Sequence, residues 1–313
     1  MVWKHKSPAI IRASAEALDK YGNPRIGGGC PSSHRMMMAA AGVSGGNQTL
    51  LQVLTDLSLT GNLKLCLDAG DSDSYTSGQS WLDRSGGGYD FFRGADNGAS
   101  SDDPTFNGAA GGLSINEYWS VDGGDFFNYD TTEEAWMNNI HKNNADFSIL
   151  AWIWQNASAD FTPICGDRAS NTPSFSFYQG IGSGLLIGVD NTGGGGFGCL
   201  NVSADSEGQF AEWSLVGLTL DEAAGAGGSF FYRGDSNGNG YDQVSSVDTF
   251  DGTYTSPSAS NSADNFNILA QGGNLSVASN NTRLAMLAIW EGGHITKANF
   301  DSIWDNTKGR MGL

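Results

Sequence analysis

Residues 145–154 read ADFSILAWIW, a run of mostly apolar, β-branched and aromatic residues that ends in a Trp-x-Trp pair. Successive side chains of a strand point to opposite faces. Phe147, Ile149, Ala151 and Ile153 therefore share one face, and Ser148, Leu150, Trp152 and Trp154 share the other. Both faces are largely apolar, so both need a covering layer. The segment belongs deep in a stacked β structure rather than on a half-wet edge. Its second face carries two indoles, side chains suited to packing against a sugar ring as well as to filling a core.

Composition points the same way. Forty-five of the 313 residues are glycine, about 14% against an ordinary ~7%, with no G-X-Y period. Together with abundant Asn, Asp and Ser, this describes many short strands joined by tight turns. Asp outnumbers Glu by 26 to 8, a bias toward loops over helices. The net charge of −18 is unevenly spread. Residues 1–35 hold six basic side chains, including Lys4, Lys6 and Arg12, against two acidic ones, a local balance of +4; the other 278 residues carry −22. This is the pattern of a basic arm on an acidic body. An acidic body argues against nucleic acid as a partner, since phosphates need a basic patch.

No apolar run near Met1 reaches the ~7–15 residues of a signal core, and none approaches the ~18 of a membrane span. The chain is therefore expected to be made in the cytoplasm without membrane insertion. Cys30, Cys66, Cys165 and Cys199 are widely spaced and form no C-x-x-C, so free thiols are expected rather than a metal cluster.

Residues 1–46 lack sustained periodicity and read as an extended arm. Residues 47–58 place Leu50, Leu51, Leu54 and Leu57 at helical spacing, which predicts a short helix. The expected division is thus an N-terminal docking segment, 1–58, and a β body, 59–313. Strands are expected at 63–70, at 119–121 and at Phe147–Trp154, and then at 174–178, 185–189, 198–202, 213–220, 229–233, 266–269 and 284–290. Thr131–Lys142 opens on a capping pattern and predicts a helix. A second helix is expected after Thr296, with Phe300, Ile303 and Trp304 as its apolar stripe. Many short strands with few helices indicate an all-β, two-sheet antiparallel sandwich.

The order of motifs strengthens this reading. LCLDAGDSDSY (65–75), WLDRSGGG (81–88), YWSVDGGDFF (118–127) and FSILAWIW (147–154) are followed by EWSLVGLTLD (212–221), FFYRGD (230–235) and RLAMLAIWEGGHITKANFDSIWD (283–305). This succession resembles the laminin-G-like, concanavalin-A-like family over about residues 63–308. The resemblance implies a jelly-roll sandwich closed by a short C-terminal helix, and gives Trp152 the place of a framework residue. Versions of the module opening on a leucine-rich strand and L-D-A-G resemble bacteriophage structural proteins and bacterial surface proteins.

That fold includes endoglucanases, which carry a Glu-x-Asp-x-(x)-Glu run on one strand; hydrolysis with retention needs two carboxyl groups ~5–5.5 Å apart. None of the eight glutamates has an Asp two residues later, so a glycoside hydrolase is the weakest expectation and no catalytic residue is assigned. The four histidines are dispersed, and the Gly193–Gly196 run lacks the Lys-Ser/Thr of a phosphate loop. Calcium wants several turn oxygens. Asp235-Ser236-Asn237-Gly238-Asn239-Gly240-Tyr241-Asp242 is similar to the opening of a calcium loop, with Asp235, Asn237, Asn239 and Asp242 as ligands. Its twelfth position is Ser246 rather than Glu, and a hairpin turn with Asn-Gly chemistry is the alternative. Asp68, Asp71 and Asp73 form a second set. Trp152 and Trp154 are the candidate sugar-binding residues, with burial beneath loops and the Thr131–Lys142 helix as the alternative.

The expected function is a non-enzymatic virion structural protein of a tailed phage. It would be a homo-oligomer that docks its basic arm (Lys4, Lys6, Arg12) onto other virion proteins and displays a lectin-like sandwich, with host polysaccharide as a further expected partner. The alternative is an extracellular carbohydrate-binding module.

Overall fold

The computed structural model describes residues 48–129, 145–156, 162–168, 174–180, 184–190, 199–202, 211–221, 229–243, 264–272 and 276–313, with isolated positions between them. Two antiparallel sheets face each other across one core. The first runs β14 (Gly238–Gln243), β13 (Phe230–Asp235), β12 (Trp213–Asp221), β7 (Asp146–Trp154), β16 (Arg283–Glu291), β5 (Tyr118–Ser120), β4 (Thr105–Asn107), and β1 (Leu63–Asp68) also pairs with β16. The second runs β11 (Cys199–Val202), β10 (Gly184–Asp190), β9 (Ser174–Gly180), β8 (Thr162–Gly166), β15 (Asn267–Ile268), β6 (Phe127–Tyr129), β3 (Phe91–Arg93), β2 (Ser80–Trp81). The all-β sandwich read from the sequence is the observed architecture.

The two-faced strand explains the layering. β7 is central in its sheet, paired with β12 on one side and β16 on the other. Phe147, Ile149, Ala151 and Ile153 enter the core between the sheets, with Phe175, Phe177 and Ile187 from the opposite sheet. Leu150 and Trp152 enter a second apolar cluster on the outer face, with Tyr232, Trp290, Phe300 and Trp304. Two helices roof that outer face, α1 (Leu50–Asp56) and α2 (Lys297–Thr307).

Each helix starts where the sequence dictates. Thr49 and Thr296 are N-caps, each in a reciprocal box with the side chain three residues on, Gln52 and Asn299, which satisfies the orphan amides of the first turn. α2 lies so close to the sheet that two strand positions beneath it must lack a side chain. A Cβ on Gly217 would sit 2.1 Å from the Phe300 ring, and one on Gly234 2.4 Å from the Trp304 indole.

α1 buries Leu50, Val53 and Leu54, and Leu50 and Leu54 join the apolar cluster on the outer face. Its first amide donates to Asp68 Oδ2 at 2.8 Å. The basic arm itself, with Lys4, Lys6 and Arg12, lies outside the described residues, as does most of Thr131–Lys142. Of the latter, Trp136, Met137 and Ile140 are buried in the core between the sheets, a different cluster from the one that holds Trp152 and Trp154.

Among the described residues, no helix is long and apolar enough to cross a membrane. Cys66 and Cys165 are buried free thiols, and burial pushes both up from the usual thiol range.

Candidate functional site

The outer face of the first sheet is apolar along its length, and the helices cover only part of it. Beneath α2, Trp152 is fully buried. Its indole stacks on Trp304 with centroids 5.4 Å apart, and its Nε1–H donates to Thr307 Oγ1 at 2.9 Å. Trp152 therefore has neither a free face nor a free donor, and as a sugar-binding candidate it is corrected to a packing residue.

One step further along the same face, β7 ends at Trp154, which is only half-buried. Strand register builds a row around it. Trp213 of β12 pairs with Trp154, and Trp154 pairs with Arg283 of β16. Arg283 in turn pairs with Ser120 of β5. Cross-strand partners lie on one face with Cβ atoms ~4.5–5.5 Å apart, so the pairing alone sets indole, indole and guanidinium side by side. The Arg283 guanidinium lies over the Trp154 ring, 4.1 Å from its centroid, and 5.0 Å from that of Tyr118. Tyr118 meets Trp213 edge-on at 5.7 Å.

This row floors a cavity of about 340 Å³, at the small end of the ~300–1,000 Å³ of small-molecule sites. Asn116 and the exposed Ile115 form one wall; Met311, Gly312 and Leu313 form another. The lip is Ala211 and Glu212. Ala211 holds a left-handed backbone, φ 60°, and its N–H donates to Gln155 O at 2.7 Å. A non-glycine residue in that region is strained, and here the conformation brings Glu212 and Trp213 round into the site. Glu212 accepts from the Ser236 amide at 3.3 Å.

The wall made by the C-terminal segment is fixed from below. Arg310 is buried and forks onto Asp68, Nη1 to Oδ2 at 2.8 Å and Nη2 to Oδ1 at 2.6 Å. A Cβ on Gly70 would sit 2.1 Å from Arg310 Nη2, so the L-D-A-G glycine makes room for this pair. Asp68 is thus committed to a guanidinium and two amides, those of Leu50 and Gly70. Asp71 and Asp73 both pair with Arg84. The second calcium set is corrected to two ion-paired clasps.

The first calcium set is a hairpin. Asp235 pairs with Gly238 around a two-residue turn, Ser236-Asn237, and Gly238 takes the left-handed backbone, φ 114°. Asp235 takes the Arg233 guanidinium at 3.1 Å and the Asn237 amide at 2.8 Å. Asn239 lies opposite Gly234, on the other face of the ribbon, where its side chain donates to Tyr232 Oη at 3.1 Å and to Asp301. Ligands on opposite faces cannot surround one ion, so Asp235, Asn237 and Asn239 are corrected to turn residues. The Asp242 side chain lies outside the described residues. Among the described residues, no group of three or more His, Cys, Asp or Glu is placed to hold a metal.

Of the residues singled out from sequence that are described, the structure therefore brings only Trp154 to an open pocket. Arg283, Tyr118 and Glu212 were not singled out. The available signal for Arg283 was a lone cation entering an otherwise apolar strand, RLAMLAIW.

No protein-family model matches the chain, and no curated protein matches it. Among solved structures it is similar to domain 4 of an extracellular GH43 arabinanase, AbnA, from Geobacillus stearothermophilus, solved with arabinotriose. The TM-score is 0.47 at 12% identity, over 77% of this chain and 98% of that one. It is also similar to the botulinum neurotoxin serotype D binding domain, at TM-score 0.47 and 11% identity, over 80% of this chain and 52% of that one. A third is Trypanosoma rangeli sialidase in complex with the inhibitor DANA, at TM-score 0.42 and 9% identity, over 80% of this chain and 33% of that one. The chain thus spans about half of the neurotoxin domain and a third of the sialidase. Identities this low transfer no residue role.

Proposed function

We propose that this protein is a lectin-like carbohydrate-binding module that takes a saccharide in the pocket over Trp213, Trp154 and Arg283, without chemical turnover. The observation that carries the reading is the half-exposed Trp154 at the point where the roofed outer face opens. Saccharides present apolar C–H faces between hydroxyls, and an aromatic floor with a few placed polar groups answers both. Here Asn116, Glu212 and Arg283 supply those groups. Glu212 is the one side-chain carboxylate among the described residues lining the pocket. Glycoside hydrolysis uses a pair, which supports binding rather than catalysis. The reading is tested by applying the full chain and its Trp154→Ala variant to a glycan array. The wild-type chain binds a subset of saccharides, and the variant loses at least about tenfold in affinity, the effect of ~1.4 kcal/mol. An empty array contradicts the proposal.

For the setting in which the module is displayed, we propose the surface of a tailed-phage particle, as a homo-oligomer held to other virion proteins through Lys4, Lys6 and Arg12. Its support is the charge partition, +4 over residues 1–35 against −22 in the remainder, together with the motif order described above. Removing residues 1–46 then leaves a folded body that fails to enter particles. Normal incorporation of the truncated chain contradicts the docking role.

A further inference from the structure

Six arginines lie among the described residues, and five of them have oxygen partners. Arg84 pairs with Asp71 and Asp73, Arg233 with Asp235, and Arg310 with Asp68. Arg93 donates to two backbone carbonyls and to Gln79, and Arg168 donates to Gln271. Arg283 makes no hydrogen bond and no ion pair to the described protein; its contacts are the Trp154 and Tyr118 rings. In a chain with 34 acidic and 16 basic side chains, a guanidinium without any oxygen partner is the exception among the described residues, and this one lines the pocket.

We infer that the pocket selects acidic saccharides, with Arg283 receiving a sugar carboxylate; the inference rests on the carbohydrate-binding reading and names its ligand class. Guanidinium stacking on an indole uses the flat face of the cation and leaves its N–H edge unspent. That edge is a rigid fork matched to the two oxygens of a carboxylate, and charge-assisted bidentate pairs are about twice as strong as neutral hydrogen bonds. Trp154 and Tyr118 act as positioning residues for the fork as well as pocket floor. They hold the guanidinium in place before a ligand arrives, so little side-chain freedom is lost on binding. Glu212, at the lip, rejects a second anionic group there and accepts from a hydroxyl instead. The body's strong negative charge opposes polyanions at long range, so recognition is short-ranged and confined to one residue of the glycan.

The test is calorimetric titration of the full chain with short oligogalacturonates, the same oligomers methyl-esterified, and sulfated and unsulfated galactan oligosaccharides. The free acids bind, and esterification, which removes the charge and keeps the ring, weakens binding by about tenfold or more. Arg283→Lys weakens the free acid by a larger factor than the ester, because it keeps a charge and loses the fork. Arg283→Gln, whose thermal melt checks folding, gives the same result. Equal binding of acid and ester, or preference for the unsulfated neutral glycan, overturns the inference and leaves the carbohydrate-binding reading standing. Stronger binding of sulfated galactan overturns the carboxylate assignment in favour of a sulfate. Failure of every saccharide to bind overturns the reading itself, and the inference with it.

Discussion

At the scale of single residues, two indoles two positions apart on one strand have opposite fates, and the difference is what lies above them. Trp152 is roofed by α2 and Trp154 is not. Truncating each to Ala separates packing from recognition. Trp152→Ala empties a fully buried site and removes the bond that Thr307 Oγ1 accepts from the indole, so urea denaturation should report a loss of ~3–5 kcal/mol. Trp154→Ala should cost less than about 2 kcal/mol, since its ring already meets solvent, while removing binding. Equal stability losses would contradict the assignment.

Asp125 offers a second test at this scale. It is buried, its Oδ1 has no partner, and its Oδ2 accepts from the Asp122 amide at 3.1 Å. Burial, reinforced by the Asp122 and Asp102 carboxylates, pushes its pKa up to about 6. An unfolded Asp titrates near ~3.9, so between these values the native state binds the extra proton. Stability from this group is present below pH ~4 and is lost as pH rises through about 6. Asp125→Asn should therefore be the more stable form at pH 7 and should flatten the thermal-melt profile between pH 4 and 7. An unchanged slope would contradict the shift.

At the scale of elements, the site is made by what ends nearby. β7 ends at Trp154, α2 ends with Thr307 at Trp152, and the C-terminal segment, clasped by the Asp68–Arg310 pair, closes the side. The height of α2 above the sheet depends on Gly217 and Gly234. Gly217→Ala should displace Phe300 and cost ~1–3 kcal/mol, with the helix lifting from the strand. A melting temperature equal to wild type would show that the contact gives way without cost.

Much of this level was legible in the sequence. The alternation of Phe147–Trp154 predicts both cores, and the Thr296 cap predicts the start of α2. The short strands β2, β3 and β4 carry too few residues to show a period. β8 is hidden by Pro163, which sits beside a register shift between Pro163 and Cys165 in a strand with neighbours on both sides, where proline is unexpected. The pocket was not legible, because Tyr118, Trp154, Glu212 and Arg283 come from separate parts of the chain and meet only through strand register.

At the scale of the whole molecule, the described residues form a two-sheet sandwich with a second apolar layer on one outer face, and the saccharide site proposed above lies at the uncovered end of that face, with Arg283 as its proposed source of selectivity. The measurement that tests this most directly is a 1H–15N spectrum of the nine tryptophan indoles, recorded while neutral and acidic oligosaccharides are titrated into the full chain. A binding saccharide should shift the Trp154 and Trp213 signals and leave Trp152, held by Thr307 beneath α2, in place. Unchanged indoles throughout the series, or shifts confined to tryptophans outside the Trp213–Trp154 rung, would contradict the account.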